Sequence, residues 1–283
     1  MKISRIMAIG CLLAASLSPS QMLGADNDVA DKYKDEGYKL VWAEEFDVDG
    51  KPNPEIWKYE HGYVRNRENQ WYQEDNAIVR NGRLEIECRL ENPDAAIDQK
   101  RYTSSSINTR GTKDFKYGRF EIRAKIPTAA GSWPAIWLLG VEHPWPANGE
   151  IDIMEYYRIN GVPHILANAC WGSATSRGGE WDSAKIPYKQ FIDKDINWGD
   201  KFHIWRMDWD ENAIKIYVDD ELLNEIELSK TVNTGNAAKG FNPFTQPQYI
   251  LLNLAYGGIN GGELVDEELP LTYLVDYVRV YQK

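Results

Sequence analysis

The sequence predicts an all-β fold, a β-jelly-roll sandwich of two antiparallel sheets, and three observations carry that expectation. From Tyr38 onward, short runs rich in β-branched and aromatic residues recur at fairly regular intervals, divided by Gly, Pro, Asn and Asp. No run of helical period exceeds about three turns. Asn81-Gly82 lies between two alternating segments, and that dipeptide readily adopts the positive φ angles of a two-residue type I′ hairpin.

Taken in order, the predicted strands are residues 38–42, 77–80, 84–89, 117–126, 135–139, 150–156, 202–209, 213–218, 249–256 and 274–281. Asn81-Gly82 joins the second to the third, and Asp210-Glu211-Asn212 joins 202–209 to 213–218. Asp219-Asp220 marks a further hairpin turn. Ten or more antiparallel strands without an internal repeat fit two stacked sheets better than a propeller.

A chain of 283 residues is long enough for one large sandwich domain, assigned here to residues 38–283. Residues 26–37 are polar and charged and read as a short tether. Residues 1–25 read as an export signal, with Lys2 and Arg5 at the positive end and an apolar stretch over 6–17 too short to span a bilayer. The protein is therefore expected to be secreted or periplasmic, with cleavage after Ala25, or a cell-surface lipoprotein held through Cys11. No transmembrane segment is expected, and the chain is expected to act as a monomer. Once the signal is removed Cys88 and Cys170 remain, and either a disulfide or two buried thiols fits them.

The formal charge of -11 excludes nucleic acid and anionic membrane surfaces as partners, since both require a surplus of Lys and Arg at the contact. The 11 Trp exceed what a core of this size needs. Aromatic faces that stack on sugar rings account for the excess.

The chemistry lies in Gly149-Glu150-Ile151-Asp152-Ile153-Met154-Glu155-Tyr156. Side chains alternate along a strand, so Glu150 and Asp152 share one face while Ile151 and Ile153 point to the apolar layer behind. Regular alternation sends Glu155 to the wrong face. A one-residue bulge near Met154 brings it back and sets three carboxyls in a row. Crowded carboxylates repel, and glycoside hydrolysis is a reaction that uses such a pair: retaining enzymes need two carboxyls roughly 5 to 5.5 Å apart. Glu150 is assigned as nucleophile, Glu155 as acid/base and Asp152 as the group that tunes both. Just upstream, Trp133 and Trp137 share one strand face, followed by Trp145. Stacking against a pyranose is wanted there.

These segments resemble glycoside hydrolase family 16, specifically its laminarinase-like branch. The resemblance runs through Trp42-Ala43-Glu44-Glu45-Phe46, Asn66-Arg67-Glu68-Asn69-Gln70-Trp71-Tyr72 and Tyr117-Gly118-Arg119-Phe120-Glu121. It continues through Trp133-Pro134-Ala135-Ile136-Trp137, the carboxylate segment, Asn253-Leu254-Ala255-Tyr256-Gly257-Gly258 and Val275-Asp276-Tyr277-Val278-Arg279-Val280-Tyr281. The resemblance implies a jelly roll with an open substrate cleft, endo attack on a β-1,3 or mixed β-1,3/1,4-glucan, and retention of configuration with no catalytic cofactor. It gives Glu150, Asp152 and Glu155 the roles already assigned. It also implies Trp133 and Trp137 in the subsites around the cleaved bond, Asn66 and Arg110 on the non-reducing side, and Trp171 across the cleft. A structural calcium ion is implied at Glu45, Gly82 and Asp276. Arg67 and Trp71 depart from the family pattern, and residues 174–182 form a cleft-edge loop on which Trp181 offers another platform. Two rivals stand beside this reading: a same-fold hydrolase of an algal galactan, and a non-catalytic carbohydrate-binding jelly roll. A sulfated galactan calls for several Arg or Lys around the cleft, and a binding module has no need of three crowded carboxyls.

Overall fold

The computed structural model describes residues 29–283, so the expected export signal and Cys11 lie outside the described residues. Among the described residues eighteen strands form the domain: β1 (Lys39–Glu44), β2 (Lys58–Tyr59), β3 (Gln70–Tyr72), β4 (Ala77–Val79), β5 (Leu84–Leu90), β6 (Tyr102–Ser104), β7 (Ser106–Asn108), β8 (Asp114–Phe115), β9 (Gly118–Lys125), β10 (Ser132–Gly140), β11 (Glu150–Ile159), β12 (Val162–Trp171), β13 (Glu180–Pro187), β14 (His203–Trp209), β15 (Ala213–Val218), β16 (Glu221–Glu227), β17 (Gln248–Tyr256) and β18 (Leu271–Gln282). A ten-stranded sheet runs β16-β15-β14-β9-β18-β5-β6-β3, with β1 added beside β18 and β4 beside β5. An eight-stranded sheet runs β13-β12-β11-β10-β17-β7-β2, with β8 beside β17.

The two sheets enclose one core. Phe120 and Ile122 of β9 and Trp205 and Met207 of β14 meet Ile136 and Leu138 of β10 and Ile151 of β11 there. On β10 the alternate residues, Ala135 and Trp137, belong instead to a small second cluster with Tyr249 and Leu251. That cluster marks the outer face of the eight-stranded sheet. Period-two patterning thus yields an apolar back and a mixed aromatic and polar front.

The Asn81-Gly82 turn forms as expected, with φ of 54° and 69° and Val79 paired to Leu84. Asp219 and Asp220 likewise take positive φ between β15 and β16. Three departures from expectation have physical causes. The β3–β6 pair is parallel, at one end of the ten-stranded sheet's main path. The edge strands β13 and β16 went unpredicted, because only one side of an edge strand is packed and its composition stays polar. The polar segment read as a tether is docked from residue 32 on. Lys32 Nζ donates to both Glu121 carboxylate oxygens at 2.8 Å, the Tyr33 hydroxyl bonds the same carboxylate, and the Tyr33 ring meets Tyr281 edge-on at 5.0 Å. Cys88 on β5 and Cys170 on β12 are free, buried and in different sheets.

Candidate active site

The carboxylate strand carries the expected bulge. Ile153 and Met154 are consecutive, yet both point into the core, 1% and 0% exposed. The register with β12 shifts between Asp152 and Glu155, and that with β10 shifts between Trp137 and Ile136. Two inward side chains in succession leave Glu150, Asp152 and Glu155 together on the outer face. Their neighbours across the strands are Leu139, Trp137 and Ala135 on one side and Cys170, Asn168 and Leu166 on the other.

Each carboxyl is held by a neutral N–H donor. Trp145 Nε1 donates to Glu150 Oε2 at 2.6 Å, and Trp133 Nε1 to Glu155 Oε1 at 2.9 Å. Asn168 Nδ2 lies between Asp152 Oδ2 at 3.1 Å and Glu155 Oε2 at 3.0 Å. Asp152 also shares hydrogen bonds with both glutamates. With no ion pair to any of the three among the described residues, they cannot all ionise. Two carboxylates about 5 Å apart at an effective dielectric of 20 repel by roughly 3 kcal/mol, about two pKa units.

The carboxyls respond in that sense. Burial raises Glu155 to about 7, with the Glu150 charge adding to the rise and the Trp133 N–H opposing it. Burial, then the charges of Glu155 and Glu150, holds Asp152 well above the usual carboxylate range. Glu150 is raised by burial too, but the Trp145 N–H, the Asp152 hydrogen bond and the Arg65 charge all pull it down. The arrangement separates an acid that keeps its proton near neutrality from a carboxylate that gives its proton up more readily.

The rest of the groove is built by a chain of hydrogen bonds. Trp137 Nε1 donates to Asn253 Oδ1 at 2.8 Å, Asn253 Nδ2 to the Tyr72 hydroxyl at 3.1 Å, and that hydroxyl to Glu68 Oε2 at 3.0 Å. Asn66 is exposed at a positive φ of 55° and closes the chain by donating to Glu68 Oε1 at 3.2 Å. The Arg65 guanidinium lies 5.0 Å over the Trp137 ring and is paired with Glu60, which also accepts from Ser106 Oγ at 2.6 Å. The exposed Arg110 guanidinium lies 5.8 Å from the Tyr249 ring centroid. A pocket of about 520 Å3 lined by Ile97, Arg101, Tyr102, Leu264 and Asp266, among others, shares none of these groove residues.

Of the expected site residues, Trp133, Trp137 and Trp145 thus stand with the carboxyls, and Asn66 and Arg110 connect to the groove through Glu68 and Tyr249. Trp171 does not join them. It is 8% exposed and packs in the main core with Ile165, Ala167 and Ala169, on the face of β12 opposite Asn168. Strand alternation, counted from Asn168, would have shown this. Sequence reasoning passed over Arg65, Asn168 and Tyr249. Asn168 carried a signal, as a lone amide in an otherwise apolar run.

Glu45, Gly82 and Asp276 are brought to one region beside β18, where the end of β1 and the start of β5 meet, since Glu44 pairs with Val278 and Leu84 with Val275. The calcium site expected there would draw on backbone oxygens and the Asp276 carboxylate, and both acidic side chains are engaged by arginines. Glu45 is neutralised by Arg279 at 2.7 and 2.8 Å, and Asp276 by Arg123 at 2.5 Å. No group of three or more His, Cys, Asp and Glu side chains suited to a metal occurs among the described residues. Nor is any helix among them long and apolar enough to cross a membrane.

Known proteins match along most of the chain. The family described as Glycosyl hydrolases family 16 matches residues 65–278. A β-glucanase of Rhodothermus marinus is 37% identical over 301 residues, spanning 100% of this chain and 97% of that protein. The crystal structure of SCLam, a non-specific endo-β-1,3(4)-glucanase from family GH16, superposes with a TM-score of 0.73 at 32% identity, over 87% of this chain and 91% of that one. A structure solved in work on endo-acting O-glycanases, expressed by prominent members of the human gut microbiota to initiate mucin breakdown, gives 0.74 at 33% identity, over 87% and 91%.

Proposed function

The chain belongs to family 16 of the glycosyl hydrolases, and from that premise we propose that it is a retaining endo-β-glucanase acting on β-1,3- or mixed-linkage β-1,3/1,4-glucan. The observation that carries this is the bulge at Ile153 and Met154, which sets Glu150, Asp152 and Glu155 on one face of an open groove floored by Trp133 and Trp137. A binding module gains nothing from three crowded carboxyls with raised pKa values.

In the first step a Glu150 carboxylate oxygen attacks the anomeric carbon while the glycosidic C–O bond breaks. Glu155, protonated up to about pH 7, gives its proton to the departing oxygen. The leaving chain then makes way for water. In the second step Glu155, now a carboxylate, takes a proton from that water as its oxygen attacks the same carbon and the bond to Glu150 breaks. Asp152 holds the shared proton between the two glutamates and Asn168 fixes its orientation. No cofactor enters either step.

A polymer of this kind is met outside the cell, which agrees with the export signal expected at residues 1–25, and a monomer suffices for a site built within one chain. The likeness to an O-glycanase structure makes mucin-type O-glycans the competing substrate. Product analysis on laminarin, barley-type β-glucan, xyloglucan, agarose and mucin O-glycans, with Glu150→Ala as control, tests the proposal. Oligosaccharides should form from one or both of the first two substrates and be absent in the control. Their persistence in the control, or cleavage confined to agarose or mucin glycans, would refute it.

A further inference from the structure

Of the 11 Trp, only Trp145 and Trp181 are exposed, at 46% and 43%. Both flank Glu150. Trp145 reaches it directly through its indole N–H, whereas Trp181 is placed by register: Glu150 pairs with Cys170, and Cys170 pairs with Trp181 on the edge strand β13. Residues directly opposite in antiparallel strands share a face. Ala184 and Ile186 of β13 pack on the main core, so Trp181, Ser183 and Lys185 belong to the groove face. Two strand spacings put Trp181 roughly 10 Å from Glu150. That is too far for the ring under attack and within reach of its neighbours along a chain.

The loop before β13 is shaped to present this ring. Trp181 Nε1 donates to Gly178 O at 2.8 Å, which fixes the indole and satisfies its one donor. Gly179 turns the chain at φ +82°, and a Cβ there would collide with Cys170 Sγ, so the turn lies directly on the groove-side thiol. No aromatic ring or cation stacks on Trp181 among the described residues, whereas the Trp137 ring is covered by Arg65 and the Trp71 ring by Lys100. An anchored indole with its donor satisfied and its faces uncovered suits the C–H face of a pyranose, and the exposed Ser183 and Lys185 beside it offer donors to sugar hydroxyls.

We propose that Trp181 is a distal sugar platform of this groove, on the opposite side of Glu150 from Arg65 and Arg110, which makes the enzyme favour long chains. The inference rests on the glycan-hydrolase assignment above. Its test compares wild type, W181A and W181F on a long β-glucan and on the shortest oligosaccharide that wild type cleaves, with thermal melts of all three. For W181A the KM on the long chain should rise about tenfold, the equivalent of 1.4 kcal/mol. The kcat and the short-substrate parameters should change by less than about twofold, and W181F should recover most of the loss. An unchanged long-chain KM overturns the proposal. So does an equal loss on both substrates, which would mark damage to the loop or to Glu150. If wild type cleaves another glycan and no β-glucan, the glucanase assignment fails while the same comparison on that glycan still decides the role of Trp181. A wild type that cleaves nothing overturns both.

Discussion

Trp133 Nε1 stands 2.9 Å from Glu155 Oε1 and donates to it, a hydrogen bond that favours the ionised carboxyl. The bond works against burial, which dominates and carries Glu155 up to about 7. Trp133→Phe keeps an aromatic ring and removes the donor. Glu155 then holds its proton to higher pH, so the basic limb of the kcat/KM profile should move upward. A limb that stays in place or moves down would count against the role of this bond.

Glu155→Gln removes the transferable proton while leaving an amide of the same shape. Turnover of a natural glucan should fall by about 10²- to 10⁴-fold, the usual contribution of general acid–base catalysis. A substrate whose leaving group needs no proton should lose far less in the glycosylation step, and the basic limb near pH 7 should vanish from its profile. Equal losses on both substrates would remove Glu155 from the acid role.

How far the site was legible in the sequence follows from where its information resides. Glu150, Asp152 and Ile151 obey plain alternation, and the one extra residue before Glu155 announced the bulge that Ile153 and Met154 form. The Asn81-Gly82 hairpin was legible because its backbone requires residues that tolerate positive φ. Arg65 was not, since its place over Trp137 depends on the distant pairing of Glu60 beside Ser106. Trp171 was misplaced because motif position stood in for strand parity. The docked segment from residue 32 on escaped notice because its anchor, Glu121, is buried on the outer side of β9, where composition gives no hint of a partner.

The carboxyl cluster also makes a statement about stability. A carboxyl whose folded pKa lies above its unfolded value stabilises the fold fully below the unfolded pKa, and that contribution is lost as pH rises through the folded one. Asp152 and Glu155 are both raised, so wild type should lose stability as pH rises from the ordinary carboxylate range through neutrality, relative to a variant with one ionisable member fewer. Asp152→Asn should therefore gain in melting temperature over wild type as pH rises across that window, while retaining partial activity. A difference independent of pH, or one of opposite sign, would contradict the account.

Glu121 predicts the opposite slope. Its carboxylate is buried but held low by hydrogen bonds from Lys32, Tyr33 and Tyr277, so its contribution is present above the unfolded pKa and lost as pH falls through the folded one. Glu121→Ala strands two tyrosine hydroxyls and frees the segment from residue 32 on, a loss of about 2 kcal/mol. At roughly 2–4 °C per kcal/mol for a chain this size, the melting temperature at pH 7 should drop by about 4–8 °C. The deficit should shrink towards pH 3. A melt unchanged at pH 7 would mean that the docked segment contributes nothing.

Double displacement requires Glu150 to form a covalent bond to the sugar. A 2-deoxy-2-fluoro β-glucan oligosaccharide with an activated leaving group slows the second step, so the glycosyl-enzyme should accumulate and appear in the intact mass. Peptide mapping should place the added sugar on Glu150, and Glu150→Ala should acquire none. A label on Glu155 or any other residue would contradict the assignment, as would inverted anomeric configuration in the products of the natural substrate.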